Sequence, residues 1–324
     1  MTEIFSKKRD DRLDFIRGLA MIGIVFIHVN SYFEYFHSSE DFPVIITLIL
    51  SNLSRFSVPV FIFSAGYFSK AKDFKSYWSP KIFSILIPFL IFSFLGFFIK
   101  NNEWDFGSFI YQVFMGKSMT PYYFIPLLLQ FYILYYICFK CFSIKYLWIA
   151  SILALGINYL SNYGKITLIS GDYEAISITN YVFFFFLGLI ASNYKLDMLT
   201  DSLFKKYSIR TIYLIIASAI IYYSITENIH LKNHTLLYPI IAFIMLYEVN
   251  FREIVVKKIA VIGKESMGIF LIHPFLIHFM HSIDPYAWLL GPYGSIFVVA
   301  FLNVIIPLII WISLRKIIST VYRP

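Results

Sequence analysis

Long apolar runs alternate with short polar or charged segments along the whole chain. A run of about 20 apolar residues is long enough to cross a bilayer as a helix. The pattern predicts an all-α fold, a polytopic transmembrane helical bundle of about ten spans. The predicted spans are 13–32, 44–68, 82–99, 122–139, 146–160, 179–194, 211–226, 234–249, 259–281 and 294–314.

The composition supports the same class of protein. Hydrophobic residues make up 59% of the chain and charged residues 14%, and the mean hydropathy is +0.72. These values exclude an ordinary soluble domain. Because the ten predicted spans use nearly all of the 324 residues, we expect a single integral-membrane domain over 1–324 and no separate soluble domain.

The positive charges are distributed unevenly between the two sides of the predicted bundle. If the N-terminus is cytoplasmic, 21 of the 27 lysines and arginines lie on the inner side. This asymmetry follows the positive-inside rule and predicts that both termini are cytoplasmic. The net charge of +8 is thereby explained by topology, without a nucleic-acid partner. A basic inner surface would instead attract anionic membrane lipid and anionic cytosolic ligands.

Two ionisable residues, Arg17 and His28, share one face of the first span. Eleven helical steps bring a side chain round to about the same face, about 16 Å further along the axis. Ionisable residues at membrane depth are costly and usually face a protein interior. Arg17 is either a snorkelling residue at the cytosolic interface or a ligand for phosphate or carboxylate. Asp14, three positions earlier, can pair with it and orient it.

His28 also has two interpretations. It is either an interfacial histidine beside Tyr32, or a neutral imidazole that takes a proton from a hydroxyl as a general base.

Arg55, near the middle of the second span, has no short route to water. It requires a carboxylate, backbone carbonyls or a ligand. Pro59 removes one helical hydrogen bond and should open the helix at Arg55.

Two later spans add further candidate residues. His273 lies deep in its span directly before Pro274, and is either a core histidine or a site residue. Tyr123 and Gln130, in the fourth span, belong either to an interfacial aromatic belt or to a sugar-binding surface. The histidines lack the spacing of a metal site, so no bound metal is expected.

Taken together, these segments resemble the integral-membrane acyltransferase-3 family. The likeness rests on four motifs in order, and the segment 123–130 is similar to the branch of intercellular adhesion protein C and other polysaccharide O-acyltransferases. The second-span motif reads Ser-Ala-Gly here, where Ser-Gly is more usual. The four motifs are Arg17-x10-His28, Arg55 with the small-residue patch 64–67, the segment 123–130, and 269–274.

The resemblance implies transfer of an acyl group, usually acetyl, from cytosolic acyl-CoA to a hydroxyl of a carbohydrate or lipid-linked glycan. Acyl-CoA would be a co-substrate, with no tightly bound cofactor, and the protein would lie in a bacterial cytoplasmic membrane. A glycan or small-anion transporter or flippase is the alternative, since the same charges could line a translocation path. The oligomeric state stays open. The expected roles are catalysis for His28 and Arg55, donor binding for Arg17 and Asp14, and acceptor binding for Tyr32, Tyr123, Gln130 and His273.

Overall fold

The described part of the chain is built from helices. The computed structural model describes residues 11–101, 103–140, 142–163, 174–194, 203–232, 235–288 and 291–321. These residues contain no strand, which confirms the all-α prediction. The helices are α1 (Asp11–Phe36), α2 (Phe42–Leu53), α3 (Ser57–Phe68), α4 (Phe74–Lys81), α5 (Ile87–Lys100), α6 (Phe106–Met115), α7 (Phe124–Leu134), α8 (Ile144–Tyr163), α9 (Val182–Ala191), α10 (Leu203–Thr226), α11 (Leu237–Glu248), α12 (Glu253–Lys264), α13 (Ser266–Met280) and α14 (Gly291–Val321).

The number of long spans is smaller than the sequence predicts. Among the described residues, seven helical segments are long and apolar enough to cross a membrane, or eight if α12 and α13 form one span bent by 72°. The predicted spans 179–194 and 234–249 contain only α9 and α11, of 10 and 12 residues. At 1.5 Å per residue these helices measure about 15–18 Å, against a hydrocarbon core of about 30 Å. The count of ten is therefore not confirmed.

Helix α1 lies at the centre of the bundle, in contact with α2, α3, α12, α13 and α14. Its closest neighbour is α12, and two glycines allow that approach. A Cβ atom at Gly18 would overlap the Ile259 carbonyl, and one at Gly263 would overlap the Asp14 carbonyl. Small residues let membrane helices approach to backbone contact in this way. The start of α1, which carries Asp14 and Arg17, is therefore held rigidly against α12.

Helices α3 and α9 form a second close pair. A Cβ atom at Gly66 would overlap the Phe185 carbonyl, and one at Gly188 would overlap the Phe63 carbonyl. The small-residue patch 64–67 thus serves at least as a helix-packing surface. The four phenylalanines 183–186 of α9 are all buried in the core. A helix that is apolar on every side is expected to be enclosed by protein or lipid; α9 is enclosed by protein.

Cysteine labelling tests the predicted orientation, which stays a prediction. Ser38 and Ser76 are both exposed, and they precede and follow the candidate span Phe42–Phe68. In a background with Cys138 and Cys141 replaced by serine, Ser38→Cys should react with a membrane-impermeant maleimide on intact cells, because positive charges favour the inner side. Ser76→Cys should react only after permeabilisation. The opposite pattern would invert the bundle. A third informative position, Ser170, lies outside the described residues.

Candidate active site

A partly open cavity of about 510 Å³ lies beside α1 and is lined by α3, α7, α13 and the segment Thr120–Tyr123. Most of its wall is apolar, and a few ionisable side chains converge on it. This combination is typical of sites that bind small molecules. Four residues that the sequence singles out line the same cavity, namely Arg17, His28, Arg55 and Tyr123.

One end of the cavity is basic. The Arg17 guanidinium donates to the buried Asp14 carboxylate, with Nη1 3.0 Å from Oδ1. Its Nη2 atom donates to the Ser266 hydroxyl at 3.2 Å. Lys264 lines the same end, and its Nζ lies 2.9 Å from an Asp11 carboxylate oxygen. Arg17 therefore faces the cavity in a fixed position, rather than extending away from the bundle.

The bend between α12 and α13 brings Lys264 and Ser266 to this end. Glu265 occupies the bend, and its carboxylate accepts hydrogen bonds from Trp311 at 3.1 Å and Arg315 at 2.7 Å. Both donors belong to α14, so contacts with α14 fix the bend. The first residue of α13 is then within reach of Arg17.

The other end of the cavity carries His28, with His273 behind it. The two imidazole rings lie 5.4 Å apart between centroids, tilted by 48°. His273 is completely buried, and its Nδ1 atom donates to the Ile269 carbonyl at 2.9 Å. Among the described residues, its Nε2 atom has no hydrogen-bond partner. Arg55 lies within electrostatic range of the His28 ring as well.

Arg55 sits in a break between two helices, as the sequence predicts. Residues 54–56 form a turn between α2 and α3, and the helical ladder resumes where Val60 N donates to Phe56 O at 3.0 Å. Pro59, which has no N–H, cannot bond the Arg55 carbonyl. The Arg55 Nη2 atom donates to the Ser51 hydroxyl at 3.3 Å. The break thus directs the guanidinium into the cavity.

Two tyrosine hydroxyls lie near Arg55. Tyr123 lines the cavity, and its hydroxyl is hydrogen-bonded to that of the buried Tyr181. Both hydroxyls lie within electrostatic range of the Arg55 guanidinium, as does the Glu34 carboxylate. This arrangement offers hydrogen-bonding groups and ring faces to a polar ligand, which suits a carbohydrate.

Four of the eight predicted site residues do not line the cavity. Asp14 and His273 contact residues that do line it, Arg17 and His28, so His273 is not placed to bind an acceptor directly.

Tyr32 and Gln130 lie apart from the cavity. Tyr32 is fully buried, and its hydroxyl donates to Ile283 O at 2.6 Å and accepts from Trp288 Nε1 at 3.2 Å. It therefore holds the connection between α13 and α14. Gln130 donates to Ile176 O at 3.0 Å, which ties α7 to the segment before α9. Both side chains have structural partners in place of a ligand.

Sequence reasoning missed several residues that line the cavity. They include Lys264, Ser266 and Tyr132, none of which the sequence marks as a site residue. Ser266 and Tyr132 have no motif of their own, and only the bend at Glu265 and the packing of α7 against α3 place them here. A hydroxyl two residues before a deep Gly-Ile-Phe segment is too common a pattern to serve as a signal.

Comparison with known protein families gives one match. A family model described as an acyltransferase domain, that of the acyltransferase-3 family, matches residues 10–312. Since the match covers nearly the whole chain, the protein belongs to this family and is an integral-membrane acyltransferase. Neither the curated proteins nor the solved structures give a significant match to this chain.

Proposed function

We propose that the protein transfers an acetyl group from cytosolic acyl-CoA to a hydroxyl of a carbohydrate or lipid-linked glycan, at a bacterial cytoplasmic membrane. One observation carries the proposal. A single cavity has cations at one end and a histidine with an arginine at the other, about 16 Å apart along α1. A thioester donor has a matching shape, with an anionic nucleotide at one end and a reactive carbonyl at the other.

The basic end is assigned to the anionic head of the donor. Arg17 and Lys264 supply positive charge there, and the Arg17 fork is suited to phosphate oxygens. Asp14 does not line the cavity and orients Arg17 through their ion pair. Donor access from the cytosol agrees with the predicted orientation, which places the start of α1 on the inner side.

The other end is assigned to the chemistry. His28 takes the proton of the acceptor hydroxyl, whose oxygen attacks the thioester carbonyl carbon and forms a C–O bond. The negative charge that develops on the carbonyl oxygen faces the Arg55 guanidinium. When the C–S bond breaks, the electron pair leaves on the sulfur of CoA, and the proton held by His28 passes to that sulfur. The products are the acylated glycan and free CoA.

Acceptor binding is assigned to the aromatic side of the cavity. Tyr123, bonded to Tyr181, presents a hydroxyl and a ring face next to Arg55. Tyr32 and Gln130 are not part of this proposal, since both bond to backbone carbonyls outside the cavity.

Assays in lipid vesicles that contain the purified protein test the whole proposal. Label from radioactive acetyl-CoA should move to an added glycan.

A glycan or small-anion transporter is the second candidate. The observation in its favour is that ionisable residues line a cavity between the helices, as in a translocation path. Membership of an acyltransferase family and the lack of any symmetry between the two halves of the sequence favour the enzyme. Uptake of labelled glycan into vesicles without acetylation would reverse the preference.

Replacing Arg17 should weaken donor binding. Arg17→Ala removes charge-assisted hydrogen bonds that contribute about 1.5–3 kcal/mol each. The dissociation constant of a non-hydrolysable acetyl-CoA analogue should therefore rise about 10–150-fold. Arg17→Lys should restore only part of the affinity, because lysine keeps the charge and loses the bidentate fork. Equilibrium binding to purified protein measures both values.

Arg12→Ala is the matched control for this prediction. Arg12 is also at the start of α1, but it donates to Val249 O at 3.2 Å, and its guanidinium lies over the Tyr247 ring, away from the cavity lining. Analogue affinity should stay within about twofold in this variant, because Arg12 does not line the cavity. Equal losses in the two alanine variants would indicate a general charge effect and would remove Arg17 from the donor site.

A further inference from the structure

The surroundings of His273 decide which of its nitrogens carries hydrogen. Its Nδ1 atom lies 2.9 Å from the Ile269 carbonyl oxygen, and the Phe270 carbonyl also contacts the ring. Pro274 has no N–H, so the Phe270 carbonyl has lost its helical donor and is available. Two carbonyl acceptors on one side require hydrogen on Nδ1. In the neutral ring, Nε2 then carries the lone pair.

That lone pair is buried without a partner. Among the described residues nothing bonds His273 Nε2, and the side chain is completely buried. A buried acceptor without a donor is unfavourable and is rare in native proteins. The His28 ring lies beside the His273 ring, with the centroids 5.4 Å apart. A modest rotation of the half-buried His28 side chain would supply an N–H to Nε2.

We infer that His273 is a positioning residue that fixes the tautomer of His28. In this arrangement His28 donates one ring N–H to His273 Nε2 and presents the lone pair of its other nitrogen to the cavity. The order of groups is then cavity, His28, His273 and the Ile269 carbonyl. The inference rests on the proposed function, because it gives His28 the lone pair that a general base needs. The tilt of 48° between the rings is compatible with an edge-to-edge bond.

Two amide variants of His273 separate this role from a packing role. The Gln side chain places its oxygen near the position of Nε2, whereas the shorter Asn side chain places its polar group near Nδ1. If His273 serves His28, His273→Gln should keep kcat within about fivefold and His273→Asn should lower it about 10–100-fold, the range for lost second-layer partners. The KM for acetyl-CoA should stay unchanged in both. If His273 only bonds the helix backbone, Asn should be the better substitute.

A double-mutant cycle with His28→Ala completes the test. The loss caused by His273→Asn should fall to less than threefold when His28 is already absent, since His273 would act only through that ring. A loss of the same size in both backgrounds, equal losses for Gln and Asn, or a rise in KM alone would overturn the inference. The wild-type protein in the same assay keeps the two proposals distinguishable. An inactive wild type contradicts the proposed function, whereas an active wild type with unaffected variants contradicts only the role of His273.

Discussion

Replacement of His28 by alanine is expected to lower acetyl transfer about 10²–10⁴-fold, the usual range for a lost general base. His28 lines the cavity beside Arg55, and no second histidine among the described residues lines it. The loss should appear in kcat, while the KM for acetyl-CoA stays nearly constant, because the donor head binds at the opposite end. Transfer of radioactive acetyl from the donor to glycan, measured on purified protein, gives both constants.

His278→Ala is the matched control for this experiment. His278 lies on α13 near the same end of the bundle, but it is exposed and does not line the cavity. Its loss should change kcat less than twofold, as for other exposed substitutions. Near-normal turnover of His28→Ala, in a protein that inserts and elutes like the wild type, would make His28 a packing residue.

The first helix was the best-predicted part of the molecule. The spacing of Arg17 and His28 placed them on one face, and both now line one cavity. Helical periodicity is a local property, so residues on a single helix can be related from sequence alone. For Tyr32 the same reasoning gave the wrong position relative to the cavity. It continues the same face one turn further, but there the connection between α13 and α14 covers the helix and bonds its hydroxyl.

The lengths of the helices were harder to predict from the sequence than their positions. Residues 179–194 are apolar throughout much of their length, yet α9 is only 10 residues long and is preceded by the short turn Ile178–Asn180. A hydropathy window measures how apolar a segment is, and it does not distinguish burial in protein from burial in lipid. The close contact of Gly188 with α3 decides that question, and it depends on a distant part of the chain.

The interaction partners of the site residues could not be predicted from the sequence either. Arg55 was predicted to need an ion pair, carbonyls or a ligand; the structure gives it the Ser51 hydroxyl and the neighbouring Tyr123 and Tyr181. Tyr181 precedes a run of four phenylalanines and has no distinguishing pattern. Residues from different helices meet through tertiary packing, which a single sequence does not specify.

Replacing Arg55 should lower the rate of the chemical step. Arg55→Ala is expected to reduce kcat about 10²–10³-fold, the range for a lost oxyanion donor. The charge that Arg55 faces develops only in the transition state, so affinity for a non-hydrolysable acetyl-CoA analogue should change little. Arg55→Lys should recover part of the rate, because it keeps the charge with a different reach. Turnover and analogue binding are to be measured on the same preparations.

The contrast with Arg17 makes this last expectation specific. Both residues are arginines on the wall of one cavity, so a nonspecific loss of positive charge would affect them alike. The proposed arrangement requires opposite results, with binding lost in Arg17→Ala and turnover lost in Arg55→Ala. If Arg55→Ala abolished analogue binding and Arg17→Ala left it intact, the donor would lie in the reverse direction. If neither variant changed binding or turnover, a donor channel along α1 would be excluded.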